Sequence, residues 1–543
     1  MTRAIIDPNT NQAVSEPKRV AAYQARKASR PSAFSGGWGN PVYRGGSQES
    51  QELTQFRSPH LSADTAARFN RQTIVDRVHD LHRNESLVGT AVRKRTGMAI
   101  GAGWKLQAMP FAELLGITQA QAEDLSDQIE REFWVATNDP RKNFCAARRH
   151  DFGGVLRTLH TEWSMLNETA ACLIYRPDPR SIYGTGVQII DSSRISNPHN
   201  KPDTETLREG IELDEYGADQ GYWIRKAHAS DYVANAKTME WDFVERETPE
   251  GRPVFIRGFR QQRAEETRGM SFMAPLIEKF AMRSKMERTE LQSAVLNATF
   301  AAFVQSGFDT DAVAEMLGLD QATGDSVVSF QDQRMDFYQN KPVMMDGITI
   351  PILMPGDKVE GNTLGRSAGS FDQFNRILQR NIAATLGVPE SAISGDYTGL
   401  NFSTMRGQYN EIWNDVMIDR ADFGAQIVQP LYFAILDEAI ALGRITLPPG
   451  CADLYDEPAA WCRSEWVGPA RGYIDPEKER KGAVLALETG TASEIELAAQ
   501  EGKDYETVAA QRARVARINE KHGLNAPGVR ESALLPSPPG NSE

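Results

Sequence analysis

Residues 271–306, SFMAPLIEKFAMRSKMERTELQSAVLNATFAAFVQS, carry the longest uninterrupted helical pattern in the chain, after an early proline, Pro275. At about 1.5 Å per residue, a helix over this stretch reaches roughly 50 Å. Its first half is charged on one side and its second half is mostly small and apolar. That is the pattern of a helix which leaves a solvated face and then packs beside neighbours. A second helix is predicted over 367–387, SAGSFDQFNRILQRNIAATLG. Between the two lies a compact insertion, 307–366, with a short helical run, DAVAEMLG, and strand-like runs VVSFQ and ITIPILMPGDKVE.

The second helix has a clear stop signal. Gly387 suits the left-handed position after a helix, and Pro389 cannot continue one. A polar loop, 388–402, follows, and then either Asn401 or Ser403 can cap the next helix by accepting from the free amides of its first turn. That helix runs through 403–445, with a kink or break expected at Pro430. Upstream, Ile74, Val78, Leu81, Val88, Ala91 and Val92 recur at helical spacing, helices are predicted near 119–137 and 151–166, and short apolar strands follow (ACLIYR, GVQIIDSSRI, GIELDEYG, GYWIRKA, PVFIRGF). Residues 66–270 therefore read as an α+β block. Short helices are expected over 471–522. Residues 1–65, rich in Ser, Gly, Gln and Arg, read as a flexible arm, and 523–543 as a disordered tail.

At 543 residues the chain is too long for one core and divides into several domains. Its formal charge of −13 argues against a protein that wraps nucleic acid with a basic surface, though an acidic chain can surround DNA without gripping it. Cys145, Cys172, Cys451 and Cys462 form no CxxC pair and read as free thiols serving as small buried hydrophobes in a reducing compartment. No apolar run approaches the roughly 20 residues that span a bilayer, and MTRAIIDPNTNQ lacks the apolar core of a signal peptide. The expectation is a soluble, cytosolic protein with no membrane partner.

Catalytic signals are missing. No phosphate-binding P-loop string occurs, the pairs GGWGN and DFGGV do not sit between a strand and a helix, and no GxSxG elbow or paired carboxylates appear. His79 and His82, with Asp76 and Asp80 nearby, share a helical face, but the four-residue HExxH spacing of zinc hydrolases is absent, so a solvated helix surface is the expectation. Trp461 and Trp466 read as packing anchors in a short strand-and-turn segment, with a subunit contact as the alternative. Neither a cofactor nor a metal is expected, nor is the chain expected to be an enzyme.

Several segments together resemble one family, the portal proteins of tailed bacteriophages, in the lambda-like branch. In chain order they are VHDLHRNESLVGTAVRKRTGMAIGAGWKLQ (78–107), QIIDSSRISNP (188–198), GIELDEYGADQGYWI (210–224), RGMSFMAPLIEKF (268–280), ILMPGDKVE (352–360), NIAATLGVPESAISGDYTGLNFSTMRG (381–407) and WCRSEWVGPARGYIDPEKE (461–479). The string from IAATLGVPE to STMR and the pairing of two tryptophans with IDPEKE are the specific parts.

The resemblance implies an α+β multidomain subunit that assembles into a ring, commonly of twelve copies, at one capsid vertex, with a central channel for double-stranded DNA. It implies a wing over 66–270, stem helices over 271–306 and 367–387, a clip over 307–366, a tunnel loop over 388–402, a wing helix and return over 403–470 and a crown over 471–522. Glu390, Ser391, Ser394, Asp396, Tyr397 and Thr398 would lie nearest the duplex. Gly387, Pro389, Asn401 and Ser403 would form the hinge, and Ala294, Ala298, Ala301 and Ala302 would let stem helices approach closely.

The implied partners are DNA bound without sequence specificity, the terminase large subunit, a head-to-tail adaptor, and the major capsid and scaffolding proteins. The implied location is the virion, with the host cytoplasm during assembly. A conduit must let DNA slide, so the tunnel face is expected to be polar and acidic, since each cation fixed on a phosphate adds affinity. A capsid-associated hydrolase or nuclease, and a monomeric adaptor, are the competing readings.

Overall fold

Short-range signals fix most elements where the sequence places them. The computed structural model describes residues 59–303, 343–345, 348–350, 368–399, 401–472 and 476–522. Ser62 caps α1 (Ala63–Ala67), and α2 (Arg71–Asn84) and α3 (Ser86–Ala99) follow, separated by the extended residue Glu85. β1 (Lys105–Ala108) and a one-turn helix α4 (Ala112–Leu115) lead to α5 (Gln119–Thr137), whose start is a capping box of Thr118 and Gln121. Asp151 caps α6 (Phe152–Leu166) by accepting from the Gly154 amide at 2.8 Å.

A strand-rich region comes next: β2 (Glu168–Tyr175), β3 (Thr185–Ile190), β4 (Leu207–Arg208), β5 (Ile211–Leu213), β6 (Asp219–Arg225), β7 (Trp241–Glu245) and β8 (Phe255–Phe259). β3, β2 and β8 form one antiparallel sheet in that spatial order, and β4 to β7 form a second, consecutive antiparallel sheet. Glu168 at the start of β2 accepts from Arg71 (3.1 Å), Arg257 (3.0 Å) and Arg268 (2.8 Å), so one buried carboxylate ties α2, β2, β8 and the segment before the long helix together. Burial alone would raise its pKa, but the three guanidinium groups outweigh that and hold it down at about 2.

The long helix α7 spans Ile277–Phe303, preceded by a 3-10 turn, Ala274–Leu276, that contains Pro275. Of the insertion, only a two-stranded hairpin of β9 (Val343–Met345) and β10 (Ile348–Ile350) is among the described residues. α8 (Ala368–Leu386) is the second long helix, and α9 (Glu390–Ser394) and α10 (Phe402–Phe423) follow it. The break expected at Pro430 takes another form. A π-helical turn, Gly424–Val428, joins α10 to α11 (Gln429–Ala441), which puts Pro430 at the second position of α11, directly after the widened turn. After α12 (Pro458–Trp461), β11 (Ser464–Val467) pairs antiparallel with β1, setting Leu106 opposite Trp466 across more than half the chain. The last helices are α13 (Pro476–Glu488), α14 (Glu494–Gln500) and α15 (Tyr505–Lys521).

Three apolar cores form among the described residues. The largest joins α5, α6, α10, α11 and the β1–β11 pair around Trp163, Phe423, Tyr432 and Trp461, with Phe423 meeting Trp104, His160 and Trp163 edge-on at ring separations of 6.0, 5.2 and 5.8 Å. The second joins α2, α3, the end of α6 and the start of α7 to α8 and α9 through Val78, Val92, Phe280, Ile382, Leu386 and Ile393. The third lies between the two sheets, around Ile190, Ile211 and Phe255. All four cysteines are free: Cys145 and Cys462 buried, Cys172 and Cys451 half-buried.

Candidate functional site: the hinge at 387–401

The hinge is built from the end of α8 outward. Gly387 takes φ +59°, and the Val388 amide bonds back to the Ala383 carbonyl at 3.1 Å, closing the helix. Pro389 then opens α9, so the loop expected over 388–402 is helical in its first half. The physical reason is the apolar pair Val388 and Ile393, both buried in the second core, which the polar reading of this stretch passed over. Ser391 is buried with them, which corrects its assignment to an outward-facing surface. Glu390 and Ser394 are half-exposed, Glu390 accepting from Arg380 Nε of α8 at 3.1 Å and Ser394 Oγ donating to the Glu390 carbonyl.

The exposed part is shorter, residues 395–399. Gly395, at φ +71°, ends α9 in the left-handed conformation. Asp396 Oδ1 accepts from the Thr398 amide at 2.9 Å and from the Thr398 hydroxyl, an Asx turn whose two bonds hold the Asp396 carboxyl below its ordinary range. Tyr397, between them, is 54% exposed. Of the two capping candidates the structure selects Asn401: its Oδ1 accepts from the Thr404 amide at 2.8 Å and the Thr404 hydroxyl at 2.7 Å, while Ser403 lies inside α10.

What fixes the hinge to the rest of the subunit is Arg95 of α3. Its Nη1 donates to the Gly387 carbonyl at 3.1 Å and its Nε to Asp419 of α10 at 2.8 Å. Asp419, 1% exposed, also accepts from Trp163 Nε1 and from Arg260 Nη2, each at 2.8 Å, with His160 Nε2 at 3.3 Å. Burial opposes ionisation of Asp419, but His160, Arg95 and Arg260 outweigh it and hold the carboxyl well below the usual range. Burial pushes the His160 imidazole down, while the adjacent Asp419 carboxylate pulls it up. A cleft of about 880 Å³ opens beside this cluster, with Trp163, Arg260, Thr385, Gly387, Ile418 and Asp422 among its walls. Arg95 and Asp419 stand 324 positions apart, and the only sequence trace of their pairing is an arginine on the apolar side of α3.

Ala294, Ala298, Ala301 and Ala302 fall within α7, with side chains outside the described residues. His79 and His82 lie on α2, where burial and then the neighbouring His79 lower the His82 pKa. Among the described residues, no group of three or more His, Cys, Asp or Glu side chains is placed to hold a metal ion, and no helix is long and apolar enough to cross a membrane. Trp461 is fully buried, its Nε1 donating to the Ala452 carbonyl at 2.9 Å, and Trp466 packs edge-on against Phe133 and Tyr432.

Comparison with known proteins covers nearly the whole of this architecture. The family model described as phage portal protein, lambda family, matches residues 49–420. The portal protein of Escherichia phage N15 is 28% identical over 493 residues, covering 90% of this chain and 92% of that protein. Portal protein B of Escherichia phage lambda is 27% identical over the same length, with the same coverage of both chains. Among solved structures, a chain from the virion of a native gene transfer agent particle is similar over 80% of this chain and 93% of its own, at 12% identity and a TM-score of 0.33. With the family match extending over the two antiparallel sheets, both long helices and the hinge, the chain belongs to the lambda family of phage portal proteins.

Proposed function

We propose that copies of this chain form a ring of about twelve at the portal vertex of a phage head, and that double-stranded DNA enters and later leaves the head through its centre. The observation that carries this reading is the lambda-family match over 49–420, which includes the hinge and both long helices. A second supports assembly: α13, α14 and α15 bury no residue, yet expose Val484, Leu485, Ile495, Val515 and Ile518. Helices of this length gain little from backbone bonding alone, so an apolar stripe left in water calls for a covering surface, here the next copy in the ring.

In this reading residues 395–399 face the duplex, with Glu390 and Ser394 at their edge. Asp396, Tyr397 and Thr398 offer no cation to a phosphate, and Asp396 repels one, so the constriction touches DNA without gripping it. The chain itself breaks no bonds. The terminase large subunit would supply the energy while docked, the insertion between the long helices would be its contact, and a head-to-tail adaptor would bind after filling. Major capsid and scaffolding proteins would hold the outer surface during assembly in the host cytoplasm.

The test is to delete Tyr397 and Thr398 and compare two readouts: ring formation by particle imaging, and DNA retained per head after packaging. Rings should form normally and retention should change. Unaltered packaging and retention would sink the tunnel assignment, and purified protein that never forms rings with a central hole would sink the ring.

A further inference from the structure

Two loops at the start of α6 are fastened into one cationic surface. The first, 138–151, carries Arg141, Lys142, Arg148 and Arg149; the second, 176–184, joins β2 to β3 and carries Arg176 and Arg180. Asp178 Oδ2 accepts from Arg148 Nη2 of the first loop at 3.0 Å and from Arg180 Nη2 of the second at 2.9 Å. Arg176 Nη1 reaches back to the Ala146 carbonyl at 3.2 Å, and Lys142 Nζ donates to the Arg149 carbonyl at 2.9 Å. Lys142 and Arg148 take φ of +57° and +54°, a conformation that costs a residue with a Cβ about 1–2 kcal/mol and persists only where the surroundings impose it. This concentration of cations stands in a chain of net charge −13.

The surface also has an apolar element. Tyr175, at the end of β2, is 64% exposed, and its ring lies so close over Gly184 that a Cβ there would meet Cε2 at 2.7 Å. Ile182, in the same loop, is also exposed. Asp178 thus holds the Arg148 and Arg180 guanidinium groups in fixed directions, the Ala146 carbonyl holds that of Arg176, and backbone contact holds the aromatic ring. Such preorganisation lowers the entropy cost of binding, and Tyr beside Arg is the composition of binding hot spots.

We infer that this surface docks an acidic segment of a partner protein. The preference for protein over DNA rests on the reading of the hinge as duplex-facing. α6 begins at this surface and, eleven residues on, presents Trp163 to the hinge cleft, so about 17 Å of helix separates the two. An acidic peptide with apolar residues fits both the guanidinium groups and the Tyr175 ring.

The experiment uses the full-length protein and two fluorescent probes at physiological salt: a twelve-residue Glu/Leu peptide and a 20-base-pair duplex. The peptide should bind more tightly than the duplex. Arg149→Glu with Arg180→Glu should weaken peptide binding at least about tenfold with an unchanged melting temperature. Tyr175→Ala should weaken it several-fold without a change of charge, which plain ionic attraction does not predict. If the double variant melts early, Arg149→Gln and Tyr175→Ala carry the test alone. Equal peptide binding by variant and parent overturns the proposal, and so does a duplex that binds more tightly than the peptide and is lost in the same variants. Failure here leaves the ring and conduit reading intact, since that is decided by particle imaging and DNA retention.

Discussion

A buried carboxyl with no counter-ion makes folding depend on pH, and Glu162 on α6 is such a group. Its Oε2 is buried without a hydrogen-bond partner, and burial, with Asp191 and Glu168 adding to it, pushes its pKa up to about 8. The folded state therefore holds this proton more tightly than the unfolded chain, where the pKa is near 4.5. Its contribution is fully present below pH 4.5 and is lost as pH rises through 8. Glu162→Gln should leave the melting temperature nearly unchanged at pH 4 and raise it at pH 8.5; an equal effect at both values would show that the carboxyl does not carry the dependence. The Asp419 cluster is the opposite case, a buried carboxylate kept ionised by two arginines, so the two acids of one subunit answer to pH in opposite directions.

At the scale of elements, the hinge depends on a glycine for two separate reasons. Gly387 takes a left-handed φ, and a Cβ there would sit 2.6 Å from Arg95 Nη1. Gly387→Ala should therefore cost about 1–2 kcal/mol from backbone strain alone, with a further loss as Arg95 is displaced from the Gly387 carbonyl. Chemical unfolding measures the sum, and hydrogen exchange should show the α9 amides opening faster than those of α6. The stop signal at Gly387–Pro389 was legible from chemistry two residues wide, and so was a cap near 401. That α9 would form between them was not, because a five-residue helix has no periodicity to read and exists only because Val388 and Ile393 find an apolar surface made by α2, α3 and α8.

At the scale of the molecule, the C-terminal helices and the segment before them meet the rest of the described residues through polar and close backbone contacts. Gln107 Nε2 of β1 donates to Asp504 Oδ1 at 3.0 Å, Gly502 lies against Gly468 and Ala470, and Arg471 Nη1 donates to Asn410 Oδ1 at 2.8 Å. With nothing buried in α13–α15, their amides should exchange at nearly unfolded rates in isolated subunits and become protected only in assembled rings, when both are compared by mass spectrometry. Protection already complete in monomers would mean that the exposed stripe needs no neighbour.

Local rules in the sequence determined where this chain starts and stops its helices: Thr118 with Gln121, Asp151, Gly387 with Pro389, and Asn401 each act within a few residues, through bonds their own side chains or dihedrals supply. Seven segments in a fixed order were enough to point to the portal family. Only the tertiary structure decided that β1 pairs with β11, that a π turn carries the chain to Pro430, that Ser391 faces inward and that Arg95 holds the hinge through Asp419. Those outcomes depend on partners hundreds of residues away, and a charged or polar residue's sequence neighbourhood does not record which distant group will satisfy it once water is excluded.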